Sequence, residues 1–178
     1  MARLALTRLT LTNFRNYSGL RLDVAARLVA LSGPNGAGKT NLLEALSLLA
    51  PGRGLRGASF DELAHIGAPG SWAIAAEVAT PLHDVKLGTG WSAAANEAGT
   101  PGRVVLIDGH LQKSSGALGD HMRILWLTPA MDGLFAGPAG DRRRFMDRLV
   151  ATFDPEHNSR VAVFENVMRE RNLLLQEP

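Results

Sequence analysis

Eight consecutive residues, Gly33-Pro34-Asn35-Gly36-Ala37-Gly38-Lys39-Thr40, constrain this chain more than any other stretch. They follow the pattern G-x-x-x-x-G-K-T, in which glycines leave backbone N–H groups uncovered so that several can face one anion. The flanks agree with that use. The apolar run Leu28-Val29-Ala30-Leu31 predicts a strand leading in, and Asn41 to Leu49 predicts a helix leading out. A new helix aims its free N–H groups at the same anion. In such a loop the lysine, here Lys39, reaches the β- and γ-phosphates of a nucleoside triphosphate, and the hydroxyl of Thr40 ligates Mg²⁺. Gly33 to Thr40, together with Asn41, are therefore candidate binding residues for ATP. The motif leaves the base, the reaction and the partner open.

Composition narrows the class. The 178 residues suffice for one domain with a substantial core, and 46% hydrophobic content is ordinary for a globular protein. A net charge of +2 does not by itself announce nucleic acid. There is no cysteine, which excludes a disulfide framework and a thiolate zinc site. No apolar run approaches a membrane span, and the N-terminus lacks the apolar core of a signal peptide. The expectation is a cytoplasmic protein without membrane contact.

Taken in order, residues 3–14 predict a strand with Leu4, Leu6, Leu9 and Leu11 turned inward, and imperfect alternation that suggests a bulge. Leu20 and Leu22 suggest a second short strand. After the helix, Pro51 to Gly57 is a glycine-rich basic loop. Its Arg53 and Arg56 would meet phosphate of nucleotide or DNA, or stay solvated. Ser59 to Glu62 has the form of a capping box, which predicts a short helix. Trp72-Ile74-Ala76-Val78 and Val85-Leu87-Thr89-Trp91 alternate, which predicts a hairpin. Residues 93–102 predict a loop of small residues. Residues 103–107 predict another strand, closed by Asp108-Gly109 as a hairpin turn. An apolar strand ending in aspartate also resembles a Walker B motif. Gly109 stands where an ABC-type ATPase would need glutamate, so Asp108 is assigned to the turn. Met122 to Leu127 predicts a further strand. Helices are expected from Asp141 and from 154 to 177, the second with an apolar stripe of Val161, Phe164, Val167, Met168 and Leu175 that implies packing.

Together these features resemble the RecF family, bacterial ATPases of the SMC-like, ABC-type class. The resemblance rests on the leading strand, on Asn13-Phe14-Arg15-Asn16-Tyr17, on the loop with its extension Asn41-Leu42-Leu43-Glu44-Ala45, and on Gly137-Pro138 followed by Arg142-Arg143-Arg144-Phe145-Met146-Asp147. It spans essentially the whole chain. It implies that Arg15 lies beside the nucleotide. It also makes Arg142, Arg143 and Arg144 candidates for contact with DNA or a lobe interface, the other reading being a charged helix face packed by Phe145, Met146 and Leu149, and the basic loop with Arg53 and Arg56 has a counterpart in that family. Residues 169–175 resemble the arm of that family. Pro129 to Phe135 corresponds to its Q-loop; no glutamine stands there, and Asp132 takes the place of a metal or water contact.

The expected fold is α/β: a P-loop NTPase of the ABC-type head, with a mixed sheet, an antiparallel subdomain and the start of a helical lobe. Residues 1–138 would form the ATP-binding lobe, and 139–178 the first helices of the second lobe. The resemblance implies binding of double-stranded and gapped DNA, action at gaps and stalled forks in repair, recombination, replication and the SOS response, recombination mediator proteins of the RecF pathway as partners, and an ATP-dependent homodimer in the full-length protein. Such relatives are slow DNA-dependent ATPases. No Ser-x-Gly-Gln signature loop and no Walker B occur in these 178 residues, so the expectation is an N-terminal portion that binds ATP without hydrolysing it, with no catalytic residue assigned. Two other readings stay open: a P-loop nucleotide or small-molecule kinase, and a non-hydrolysing nucleotide-binding module.

Overall fold

A computed structural model describes residues 4–68, 70–93, 102–154 and 156–176. By contact the chain divides into two compact units, one running to Ile124 and the other from Leu125.

The first unit is built on six strands. They are β1 (Ala5–Phe14), β2 (Tyr17–Asp23), β3 (Ser71–Ala79), β4 (Asp84–Ser92), β5 (Gly102–Ile107) and β6 (His110–Leu111). All neighbours pair antiparallel, in the order β2-β1-β3-β4-β5-β6. The predicted β3–β4 hairpin is present, with Trp72 opposite Trp91 and Val78 opposite Val85. Period-two alternation turns Trp72, Ile74, Ala76 and Val78 to one face, where all four are buried. The β1–β3 register shifts between Leu6 and Arg8, so β1 carries the expected bulge. The extra residue resets the alternation, so Leu6 packs against the same core that buries Leu9 and Leu11, whereas Leu4 stands before the strand and is exposed.

Helix α1 (Lys39–Ser47) supplies the other side of the core. Its Leu42 and Ala45, with Leu48 and Leu49 just beyond, join Leu9, Leu11, Ile74, Val78, Val85 and Leu87 in one apolar cluster. Phe14 meets Trp72 edge-on, with ring centroids 5.6 Å apart, and the indole N–H donates to the Phe60 carbonyl at 2.6 Å. Burying a large aromatic side chain contributes on the order of 2–3 kcal/mol, and the indole bond lets Trp72 sit inside without an orphaned donor.

Several expectations are corrected. Leu28 to Leu31 is no strand: it is irregular, with Leu28 93% exposed. Met122 to Leu127 is likewise irregular, and Leu127 is exposed. Both runs have strand composition. Among the described residues, however, neither has a neighbouring strand to take its N–H and C=O groups, and composition alone cannot hold a strand. The sheet is accordingly antiparallel throughout the described residues, where a mixed sheet was expected. Ser59 caps nothing; the segment makes one 3₁₀ turn, Asp61–Leu63, whose preceding residue is Phe60. Arg3 and most of the loop expected at 93–102 lie outside the described residues.

The second unit holds α2 (Ala139–Ala151) and α3 (His157–Leu174). Pro155 and Glu177, inside the expected span of the last helix, lie outside the described residues. The apolar stripe expected to pack does so only in part: Val161 and Met168 are half-buried, whereas Phe164, Val167 and Leu175 are exposed, and α3 has no fully buried residue. No helix is long and apolar enough to cross a membrane among the described residues.

Candidate functional site

The loop between Gly33 and Gly38 is an irregular turn closed by Ala37 N–H donating to Pro34 O at 3.2 Å. Gly33, Gly36 and Gly38 have φ of 149°, 84° and 99°, a region that side chains disfavour. Gly38 is the residue preceding α1, and no side chain caps that helix. Among the described residues no protein acceptor takes the N–H groups of Gly36, Gly38, Lys39 or Thr40. The loop thus presents a fan of free donors at a helix N-terminus, where the macrodipole also favours negative charge.

A second reason fixes glycine at 38. A Cβ there would lie 2.6 Å from both Asn16 Nδ2 and the Tyr17 hydroxyl. The Asn-Phe-Arg-Asn-Tyr stretch is therefore a β1–β2 hairpin turn pressed against the phosphate loop. Phe14 pairs with Tyr17, leaving Arg15 and Asn16 as the two turn residues. Asn41 Nδ2 donates to Asn16 Oδ1 at 2.8 Å, and Asn16 Nδ2 reaches Ala37 O at 3.5 Å. These contacts tie turn, loop and helix together.

Arg15 takes φ of 53°, unusual for a residue with a side chain. Its surroundings over-determine that backbone, as strained residues require. The Arg15 N–H donates to Leu63 O at 2.8 Å, and His65 Nδ1 lies 2.7 Å from Arg15 O. The guanidinium donates from Nε and Nη2 to the two carboxylate oxygens of Glu44, each at 2.9 Å. Arg56 Nη1 donates to the same carboxylate at 3.0 Å and to Asn41 Oδ1 at 2.9 Å. Glu44 is 1% exposed, so this is a buried carboxylate shared by two arginines, one turn of helix beyond Thr40. The structure thus gives Arg15 and Arg56 a partner on α1. Arg53 is exposed on its loop.

Lys39 Nζ donates to Gly33 O at 2.7 Å and Pro34 O at 2.8 Å, folding back over the loop it would serve. Thr40 is exposed. No cluster of three or more histidine, aspartate or glutamate residues fit to hold a metal occurs among the described residues. Mg²⁺ needs no such cluster when one hydroxyl and phosphate oxygens supply its protein-side and substrate-side ligands, so the donor set suits it. Asp108 and Gly109 have φ of 49° and 81°, as a type I′ turn requires, and Asp108 Oδ1 accepts Lys86 N–H at 2.8 Å.

Two residues of consequence escaped the sequence reading. Glu44 was legible only as a lone charge in the apolar run Leu42-Leu43-Glu44-Ala45-Leu46. Arg103 opens β5 in phase with buried Val105, and that phase was the available signal. Its guanidinium donates to Leu48 O, Gly52 O and Ala50 O just beyond the C-terminus of α1, and its Nε to Thr89 Oγ1 at 2.9 Å.

In the second unit the arginines expected at DNA have local partners. Arg142 donates to Gly137 O at 2.6 Å, Arg143 lies over the Phe164 ring at 4.5 Å, and Arg144 pairs with Asp141.

A P-loop opening a helix, beside an antiparallel sheet whose hairpin braces the loop, has the fold of a P-loop NTPase head of the ABC type. The AAA domain family matches residues 8–69. The chain is 51% identical over 172 residues to the DNA replication and repair protein RecF of Rhizobium meliloti (strain 1021), covering 97% of this chain and 45% of that protein. It is 50% identical over 176 residues to the DNA replication and repair protein RecF of Mesorhizobium japonicum, covering 99% of this chain and 46% of the relative. A solved structure of the recombination mediator protein RecF-ATPrS in the RecFOR pathway superposes with a TM-score of 0.86 at 23% identity, covering 99% of this chain and 46% of that one. The chain is thus similar to RecF proteins along nearly its whole length, and it spans about half the length of the curated relatives it matches.

Proposed function

We propose that this chain is the ATP-binding portion of a RecF-type protein that acts on DNA in replication and repair. The carrying observation is the buried Gly38, where φ of 99° disfavours a side chain, the Asn16 and Tyr17 side-chain ends would have to shift to admit one, and the backbone donors of the next helix turn stay open. In this reading Gly33, Pro34, Asn35, Gly36, Ala37 and Gly38 wrap the triphosphate with backbone N–H groups. Lys39 exchanges the carbonyls of Gly33 and Pro34 for phosphate oxygens, which carry more charge and reward the ammonium better. Thr40 offers its hydroxyl to Mg²⁺, and Asn41 holds the turn. Arg15 serves the site by bracing α1 through Glu44. The bound nucleotide supplies the phosphoanhydride whose hydrolysis resets such proteins.

Three finer statements belong to the same reading. The protein recognises gapped and double-stranded DNA at stalled forks, works with recombination mediators, and pairs with a second copy when ATP is bound, in the cytoplasm. The lobes divide near residue 138. This stretch binds ATP without turnover, because Asp108, the aspartate nearest in pattern to a Walker B, sits in the β5–β6 turn with its carboxylate held by the Lys86 N–H of β4. Calorimetry with ATP on the protein and on Lys39→Ala tests the core of the proposal. Affinity should fall by at least tenfold in the variant, about 1.4 kcal/mol, and equal affinities would overturn the assignment.

A further inference from the structure

A second electropositive pocket lies at the other end of α1 from the phosphate loop, roughly 13 Å away by helix rise. It encloses about 250 Å³ and is lined by Arg53, Arg103, Gln112, Lys113, Ser114 and Ser115, among others. None of its lining residues is acidic. Arg103 is the permanent charge at its back. Thr89 Oγ1 and the carbonyls of Leu48, Ala50 and Gly52 take four of the five guanidinium N–H groups, all of them neutral acceptors. No carboxylate pairs with Arg103 among the described residues. Arg53 and Lys113 stand exposed at the mouth.

Three cations line one pocket that has no acidic residue in its wall, so an anion placed there meets charge of one sign only. Burial brings the Arg103 guanidinium down to about 10, and the carbonyls at the end of α1 that it caps are dipoles, not an opposite charge that would offset its own. The size of the pocket selects the kind of anion. Ligand pockets usually run from about 300 to 1,000 Å³, so this one admits a phosphate group but leaves the rest of its carrier outside. A polymer that passes over the surface and presents one phosphate at a time fits that description. A nucleoside triphosphate fits less well.

We infer that the pocket formed by Arg53, Arg103 and Lys113 seats one backbone phosphate of nucleic acid, separate from the nucleotide loop. The inference rests on the DNA-binding reading above and gives it a place on the first unit.

The test uses Arg53→Ala/Lys113→Ala, both exposed positions, and Lys113→Arg as the conservative replacement. Arg103 is left intact because its bonds hold the end of α1. Binding to a duplex oligonucleotide is measured at several salt concentrations. One phosphate contact contributes about 0.9 to the slope of log affinity against log salt, so the double variant should lose about one unit of slope and roughly tenfold in affinity. Lys113→Arg should keep both. Unchanged slope in a protein that binds duplex overturns the pocket and leaves the DNA reading standing. Absence of duplex binding by the unaltered protein overturns the DNA reading and the pocket with it. A third arm measures ATP and inorganic phosphate at constant ionic strength. If the double variant loses affinity for these while duplex binding is intact, the pocket belongs to small phosphates and the inference fails.

Discussion

Glu44→Gln is the most informative single change in the first unit. The carboxylate is 2% exposed and accepts three guanidinium N–H bonds, two from Arg15 at 2.9 Å and one from Arg56 at 3.0 Å. Glutamine keeps the shape and removes the charge. Its oxygen, placed where Oε2 stands, retains two of the three bonds without the charge that strengthens them, and its amide N–H₂ turns donors toward Arg15 Nη2. Breaking a buried pair while leaving its partner costs about 3–5 kcal/mol. The partners here are not sealed in: Arg15 is 22% and Arg56 43% exposed, so water recovers part of their charge. The Arg56 bond counts with surface pairs, about 0–1 kcal/mol. The loss should therefore be about 3 kcal/mol. Urea unfolding followed by tryptophan fluorescence reads it; with a slope of about 1–3 kcal/mol/M, the midpoint should drop by about 1–3 M. A second arm separates pairing from burial. Arg15→Met/Glu44→Leu removes both charges, and well-packed apolar replacements of a buried pair are often neutral. The double variant should be more stable than Glu44→Gln. A loss below about 0.5 kcal/mol in Glu44→Gln, or a double variant weaker than the single, would refute the pairing argument.

Other changes test other links. Gly38→Ala should cost about 2 kcal/mol or more, because it adds backbone strain at φ of 99° to a Cβ contact of 2.6 Å; retained stability with retained ATP affinity would contradict the packing described. Asp23 titrates below its ordinary value because Arg8 donates to it at 2.6 Å. A carboxyl lowered in the folded state stabilises above its unfolded value near 4 and loses that contribution as pH falls through the lowered one. An NMR titration should place Asp23 low in the protein and return it toward the ordinary value in Arg8→Gln. The Lys39→Ala measurement described above completes the set.

The legible parts of this fold were those that sequence specifies locally. Alternation at Trp72 to Val78 marks a strand with one buried face, Asp108-Gly109 marks a type I′ turn, and the glycines before Lys39 mark a phosphate loop. The illegible parts depend on partners. Leu28 to Leu31 and Met122 to Leu127 have strand composition, yet whether a strand forms depends on a neighbour that no local pattern announces. Ser59 and Glu62 have capping spacing, but the segment turns only once. The stripe on α3 has the pattern of a packing face, yet only Val161 and Met168 are half-buried and the rest is exposed. At the site, Lys39 and Thr40 follow from the motif, whereas the knot at Glu44 joins Arg15 to α1 across 29 positions of sequence. The strained backbone at Arg15 needs three segments at once, so no window along the chain reveals it.

The β1–β2 turn also sets a rule about length. Two residues, Arg15 and Asn16, bridge Phe14 and Tyr17, and their neighbours on the ladder, from Thr12 opposite Gly19 to Arg8 opposite Asp23, fix the register. One inserted residue would have to leave either the ladder or the loop. If the ladder held, Asn16 and Tyr17 would move off Gly38, and the guanidinium would lose its line to Glu44. If the loop held, every inward leucine of β2 would rotate outward. The segment between β3 and β4, Thr80 to His83, touches neither the phosphate loop nor α1 through any hydrogen bond among the described residues, and its bonds close on themselves. Insertions should therefore be accepted in that second hairpin and rejected in the first, so spacing between Phe14 and Tyr17 is a stricter mark of a working loop than the identity of either turn residue.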